Sequence, residues 1–128
     1  MIVDASAVLA VLFAEPDAAR YARALGRAST CRMSAAGFLE AAIVAEIRGG
    51  AAAAHALDVF MERAAMELVP VSPDHARAAR AAWRRFGKGN HPAGLNFGDC
   101  FSYALAESAR EPLLFKGEDF ALTDVEAA

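Results

Sequence analysis

Four carboxylates stand among apolar or small residues in this chain of 128 amino acids: Asp4 in MIVDAS, Glu40 in GFLEAAIV, Asp99 in NFGDCFSYALA and Asp119 in KGEDFALTDV. Taking an unpaired carboxylate out of water is costly, so acids set among core residues need partners or a cation. Few basic residues lie near them in the sequence, which leaves a hard metal ion as the simplest partner. If the four converge, each like-charge pair at about 4 Å costs roughly 4 kcal/mol at an effective dielectric of about 20. Several such pairs exceed the net stability of a small domain, so a cluster without a cation must take up protons or loosen. Oxygen-only ligands select Mg²⁺, with Mn²⁺ as a substitute, over zinc. His55, His75 and His91 are too widely spaced for a zinc motif.

Each acid also has an ordinary reading. Asp4 follows the first apolar run and could simply cap the helix that begins at Ala5. Glu40 heads the series Glu40, Ile43, Val44 and Ile47 at i, i+3, i+4 and i+7, where capping does not explain it. Asp99 falls in the first turn of an apolar helix, a place favourable to an acid because of the helix dipole. Asp119 and Asp124 both follow the last apolar run within a glycine-containing turn, and the sequence does not say which lies nearer a metal.

The elements that must position these acids alternate between strand and helix. MIV is a short strand, ASAVLAVLFA a helix ending at Glu15-Pro16, and residues 17 to 26 a second helix. Residues 30 to 33 form a second strand, and Ser34 caps a helix through Ile47 that stops at Gly49-Gly50. A further helix covers 51 to 66, and LVPV, residues 68 to 71, is the third strand. In the helix over 74 to 86, Ala76, Ala79, Trp83 and Phe86 share one side. GKGNHPAGLNFG is a loop, residues 98 to 109 form a central helix, PLLF at 112 to 115 is a fourth strand, and the tail holds a turn and a possible edge strand. This order predicts one domain over residues 1–128 with a three-layer α/β fold on a short, mainly parallel sheet of four or five strands. Ligands of such sheets sit beyond the carboxyl ends of the strands, where Asp4 falls.

Composition narrows the class. The chain is 56% hydrophobic with mean hydropathy +0.25 and formal charge −3, so it reads as a folded globular domain whose overall charge does not decide for or against nucleic acid. Cys31 and Cys100 are far apart with no CxxC, which fits reduced thiols in the cytoplasm. AVLAVLFA lacks a basic leader and is too short to span a membrane.

Acid clusters that hold Mg²⁺ serve phosphoryl chemistry. A phosphate polymer needs a positive path to an acidic site, and Arg77, Arg80, Arg84, Arg85 and Lys88 supply a basic strip for RNA. Lys116 could orient phosphate or pair with an acid. A haloacid-dehalogenase type of phosphotransferase needs a second Asp two residues after the first, where this chain has Ser6.

IVDASA, the helix carrying Glu40, GLNFGDCFSYALA and LLFKGEDFALTDV, taken in order, resemble the successive motifs of PIN domains, and the last two resemble VapC toxins of bacterial toxin-antitoxin pairs. The resemblance spans nearly the whole chain. It implies a PIN-like fold and a Mg²⁺-dependent endoribonuclease that cuts structured RNA such as tRNA or rRNA, is restrained by a VapB-like antitoxin and forms a homodimer. By position, Asp4 and Asp99 would be the principal metal ligands, Glu40 and Asp119 would complete the cluster, Asp124 would be an auxiliary acid, and Ser6 would orient a carboxylate or water. The alternative is a catalytically silent PIN-like module that binds RNA or protein, although such a module has no reason to keep a repulsive cluster.

Overall fold

A computed structural model covers residues 1–128. Its sheet has four parallel strands in the order β3-β2-β1-β4, where β1 is Ile2–Val3, β2 Cys31–Ser34, β3 Met66–Val69 and β4 Leu113–Leu114. The helices are α1 (Ala5–Leu12), α2 (Ala18–Arg27), α3 (Ala35–Arg63), α4 (Pro73–Phe86) and α5 (Phe97–Ala109). The strands are two to four residues long, yet they divide the core in two because neighbouring strand residues point to opposite faces. Ile2 and Leu113 pack with α4 and α5, on a core that includes Ala79, Phe86, Tyr103 and Ala104. Val3 and Leu114, their chain neighbours, pack with α1, α2 and α3 around Val8, Tyr21, Ala41 and Leu57. The result is the three-layer arrangement expected from the alternation of elements. No helix is long and apolar enough to cross a membrane.

Local departures from the sequence reading have identifiable causes. The expected break at Gly49-Gly50 is present: α3 consists of two helical arms joined at Gly50, whose φ of 62° and ψ of −153° lie outside the helical region and suit glycine. The third strand ends at Val69 instead of running to 71, since Pro70 has no N–H to offer the ladder. Ser72 then caps α4, accepting from the His75 N–H at 3.1 Å, with Pro73 in the first turn. In place of an edge strand, the tail makes one bridge, with the Leu113 N–H donating to the Glu126 carbonyl and the Ala128 N–H to the Leu113 carbonyl.

Two helical faces differ from the expected ones. The buried side of α4 is Ala79, Ala82 and Phe86, while Trp83 is 47% exposed. Small side chains let α4 lie close against α5, and the indole is displaced to the flank. On the arm of α3 before Gly50 the buried residues are Gly37, Ala41 and Ala45, again small, and Ile43 and Ile47 face solvent. Glu40 therefore does not head a buried stripe as its spacing suggested. It stands beside the core face, toward the N-terminus of α5.

Candidate active site

The strand order places a topological switch point between β1 and β4, because the chain leaves β1 toward β2 and β3 on one side and returns to β4 on the other. Connections diverge there and leave a crevice at the strands' carboxyl ends. Asp4 sits at that end of β1, its N–H donating to the Leu114 carbonyl at 2.9 Å. It caps α1 as expected, and its buried carboxylate is fully engaged. Oδ2 accepts from the Ser6 N–H at 2.9 Å and from the Ser6 hydroxyl at 2.6 Å, while Oδ1 accepts from the Ser102 hydroxyl at 2.6 Å. Capping and a place in the site are thus compatible, not alternatives. Ser6 also accepts from the Lys116 N–H at 3.0 Å, tying the segment after β4 to Asp4.

Asp99 enters the crevice from α5. A reciprocal capping box holds it: the Asn96 N–H donates to Asp99 Oδ2 at 3.0 Å, and the Asp99 N–H donates to Asn96 Oδ1 at 2.9 Å. Only 8% of Asp99 is exposed. Burial is the main force raising its pKa from 3.8 to about 7, opposed by the Asn96 hydrogen bond and reinforced by the charges of Asp4, Asp119 and Glu40. The four acids of separate origin therefore share one electrostatic site around Asp99.

Glu40 reaches this site across Gly98. A Cβ built on Gly98 would lie 1.6 Å from Glu40 Oε2, so the carboxylate occupies space that any other residue would fill. Desolvation, and then the Asp4 charge, raise the Glu40 pKa. Asp119 is exposed and precedes the 3₁₀ turn Phe120–Leu122 without making a side-chain cap. Asp124 lies elsewhere: it accepts from Arg85 Nη2 at 2.7 Å and from the Tyr103 hydroxyl, and these bonds lower its pKa, Tyr103 contributing most. Of the two tail acids, Asp119 is the one whose charge Asp99 feels.

The expected basic strip divides. Arg85 is committed to Asp124 and Glu107, Arg77 pairs with Asp74 on the surface, and Arg80, Arg84 and Lys88 have no acidic partner. Lys116 turns away from the cluster to bind Glu15 and Asp17, at 2.8 Å each. Ser102 was missed in the sequence, although its position three residues after Asp99, on a helix otherwise nearly all apolar, puts both on one face.

No ion pair involves Asp4, Glu40, Asp99 or Asp119, whereas Glu15, Asp17, Glu111 and Asp124 each have a Lys or Arg partner. No three His, Cys, Asp or Glu side chains form a ready-made cage at ligand spacing. Asp99 feels the charges of the other three carboxylates, and Glu40 feels that of Asp4, although the four are not gathered at ligand spacing. Oxygen donors, partial burial and uncompensated charge fit a hard divalent cation better than zinc.

The chain matches the PIN domain over residues 1–126. It belongs to the PIN-domain family. Ribonuclease VapC30 of Mycobacterium tuberculosis is 52% identical over 125 residues, covering 98% of this chain and 95% of that protein. At that likeness over nearly the whole chain, this PIN domain is a VapC-type ribonuclease, and nucleases of this kind are metal-dependent. Two solved structures share the fold at low identity. One is VapC20 of Mycobacterium tuberculosis, described as a sarcin-ricin loop cleaving toxin, with TM-score 0.81, 17% identity, and coverage of 99% of this chain and 97% of that one. The other is VapBC2 of Rickettsia felis bound to a DNA fragment from its promoter, with TM-score 0.76, 12% identity, and coverage of 98% and 94%.

Proposed function

We propose that this PIN domain is a Mg²⁺-dependent endoribonuclease, able to use Mn²⁺, that cuts structured RNA of the transfer or ribosomal kind. It acts in the cytoplasm as the toxin of a type II toxin-antitoxin pair and is held inactive by a VapB-like antitoxin. The observation that carries this reading is the set of four acids without a cationic partner around the β1/β4 crevice, of which Asp4 and Asp99 are buried and Glu40 is half-buried, whereas the other acids that lack a Lys or Arg partner are exposed. The described targets and partners of VapC20 and VapBC2 support the choice of structured RNA and of an antitoxin. The exposed ridge of Leu39, Ile43 and Ile47 on α3 supports an assembly, a homodimer or a complex that covers it.

In this reading Asp4 and Asp99 are the principal metal ligands, and Glu40 and Asp119 complete the acidic cluster. A hard divalent cation held there supplies a nucleophile from water near neutral pH and offsets charge on the phosphodiester. The chain's own residues do the positioning. Ser6 and Ser102 fix the Asp4 carboxylate from both oxygens, and the Asn96 N–H fixes Asp99. Gly98 admits Glu40 to the site. Asp124 serves the fold by joining the tail to Arg85 and Tyr103.

Mapping RNA 5′ ends after brief expression tests the proposal. New ends in one or a few structured RNAs, absent with Asp99→Asn, are expected. Identical ends in both strains would assign the cutting to another nuclease.

A further inference from the structure

Beside the acids, on the far flank of α5, a groove of about 560 Å³ runs between α4 and α5. Trp83, Phe97 and Phe101 form its aromatic wall, Arg80 and Lys88 bring positive charge, and Asn96 lies at the end nearest Asp99. Trp83 is 47% exposed and Phe97 is 82% exposed, so the groove presents large aromatic surface to solvent. The aromatic side chains are held in place. Phe97 and Phe101 meet edge to face, with centroids 5.0 Å apart. Asn90 Nδ2 donates to the Trp83 carbonyl at 2.9 Å, and a Cβ at Gly87 would come within 2.3 Å of Trp83 Cδ1, so glycine there makes room for the indole. The Gly87–Leu95 bridge then fixes the loop that carries Lys88.

We propose that this groove receives an unpaired nucleobase of the RNA substrate, stacked on Phe97 and Trp83, with Arg80 and Lys88 on the flanking phosphates. The proposal rests on the nuclease reading above and adds to it how a structured RNA is chosen: a loop or bulge offers a splayed base, and a continuous duplex does not. Two observations favour RNA over a protein occupant. Arg80 and Lys88 have no acidic partner in the fold, so their charge is available to phosphate in a chain that is net acidic. The groove also lies close to Asp99, since Asn96, Phe97 and Cys100 line it while the Asn96 N–H holds Asp99, so RNA bound in it is anchored near the site. The volume suits one nucleoside.

The test measures binding of a labelled RNA hairpin with an unpaired purine-rich loop, and of a duplex with the same stem and no loop, to Asp99→Asn protein in Mg²⁺. Adding Phe97→Ala or Trp83→Ala should weaken hairpin binding by about tenfold or more and leave the weaker duplex binding unchanged, while Phe97→Trp keeps the hairpin affinity. Arg80→Ala and Lys88→Ala should each reduce the salt slope by about one for both RNAs. Unchanged hairpin binding in Phe97→Ala, with cleavage by the otherwise unaltered chain intact, would overturn the groove and leave the nuclease reading standing. Hairpin binding through Phe97 without cleavage by the unaltered chain would overturn the nuclease reading alone. If light scattering showed that Phe97→Ala or Trp83→Ala turned a dimer into a monomer, the groove would be an interface between copies and the RNA assignment would be wrong.

Discussion

Replacing Asp99 by asparagine should abolish cleavage and at the same time stabilise the metal-free protein. Burial and three neighbouring carboxylates raise the Asp99 pKa from 3.8 to about 7. A carboxyl whose folded pKa lies above its unfolded value is protonated more readily in the native state, so the native state binds more protons between those two values. Stability then falls as pH rises through that window, and the loss is complete above about pH 7. A shift of about three units at about 1.4 kcal/mol each sets an upper limit of about 4 kcal/mol on the cost of ionising Asp99. Asparagine is neutral, has nearly the same shape, and its amide oxygen can still accept from the Asn96 N–H, so the capping box survives. Urea unfolding followed by circular dichroism, in EDTA, reads the effect. Near pH 8 the Asp99→Asn protein should gain roughly 2–4 kcal/mol through a higher midpoint with unchanged slope, and near pH 4 the two proteins should converge. Equal or lower stability of the variant near pH 8 would show that Asp99 is not a strained, uncompensated charge.

Gly98→Ala should push Glu40 out of its place, because the new Cβ would overlap the carboxylate. Unfolding should show a loss of about 1–3 kcal/mol, and adding Glu40→Ala should recover much of it. Ser102→Ala removes the hydroxyl that holds Asp4 Oδ1, and the Mg²⁺ concentration needed for half-maximal cleavage should rise by about tenfold or more, with RNA affinity unchanged. The two tail acids should separate by assay: Asp119→Ala raises the metal requirement with little change in melting temperature, whereas Asp124→Ala lowers the melting temperature with little change in metal requirement.

The parts legible in the sequence were those fixed by local rules. Asp4 follows a strand and precedes a helix, which in a parallel sheet can only be the ligand edge, and Asp99 falls in the first turn of a helix too apolar to lie at the surface. The glycine pair in α3 marks a break by backbone chemistry alone, whereas the reading of LVPV as a strand ran through Pro70, which ends β3 at Val69. Glu40 was singled out by a spacing argument that the fold does not support. Its stripe of Ile43 and Ile47 faces solvent, because α3 packs through Gly37, Ala41 and Ala45, and helical periodicity in an alanine-rich chain does not tell a close-packed face from an exposed apolar one. What places Glu40 is the missing side chain at Gly98, a contact between residues far apart in the chain. The same limit hid Ser102 as a partner of Asp4 and scattered the basic strip: Arg85 is drawn to Asp124 by the folding of the tail, which spacing on α4 could not foretell. Trp83 was placed with Ala76, Ala79 and Phe86 by helical spacing, and only the narrow α4/α5 packing sends it to the flank.

In the proposed function, four carboxylates without cationic partners form a site for a hard divalent ion. Calorimetric titration of Mn²⁺ into the protein freed of any antitoxin tests this most directly. Saturable binding that weakens as pH falls below about 7 and disappears in Asp99→Asn is the predicted result. Equal binding by the unaltered chain and the variant, or none by either, would contradict it.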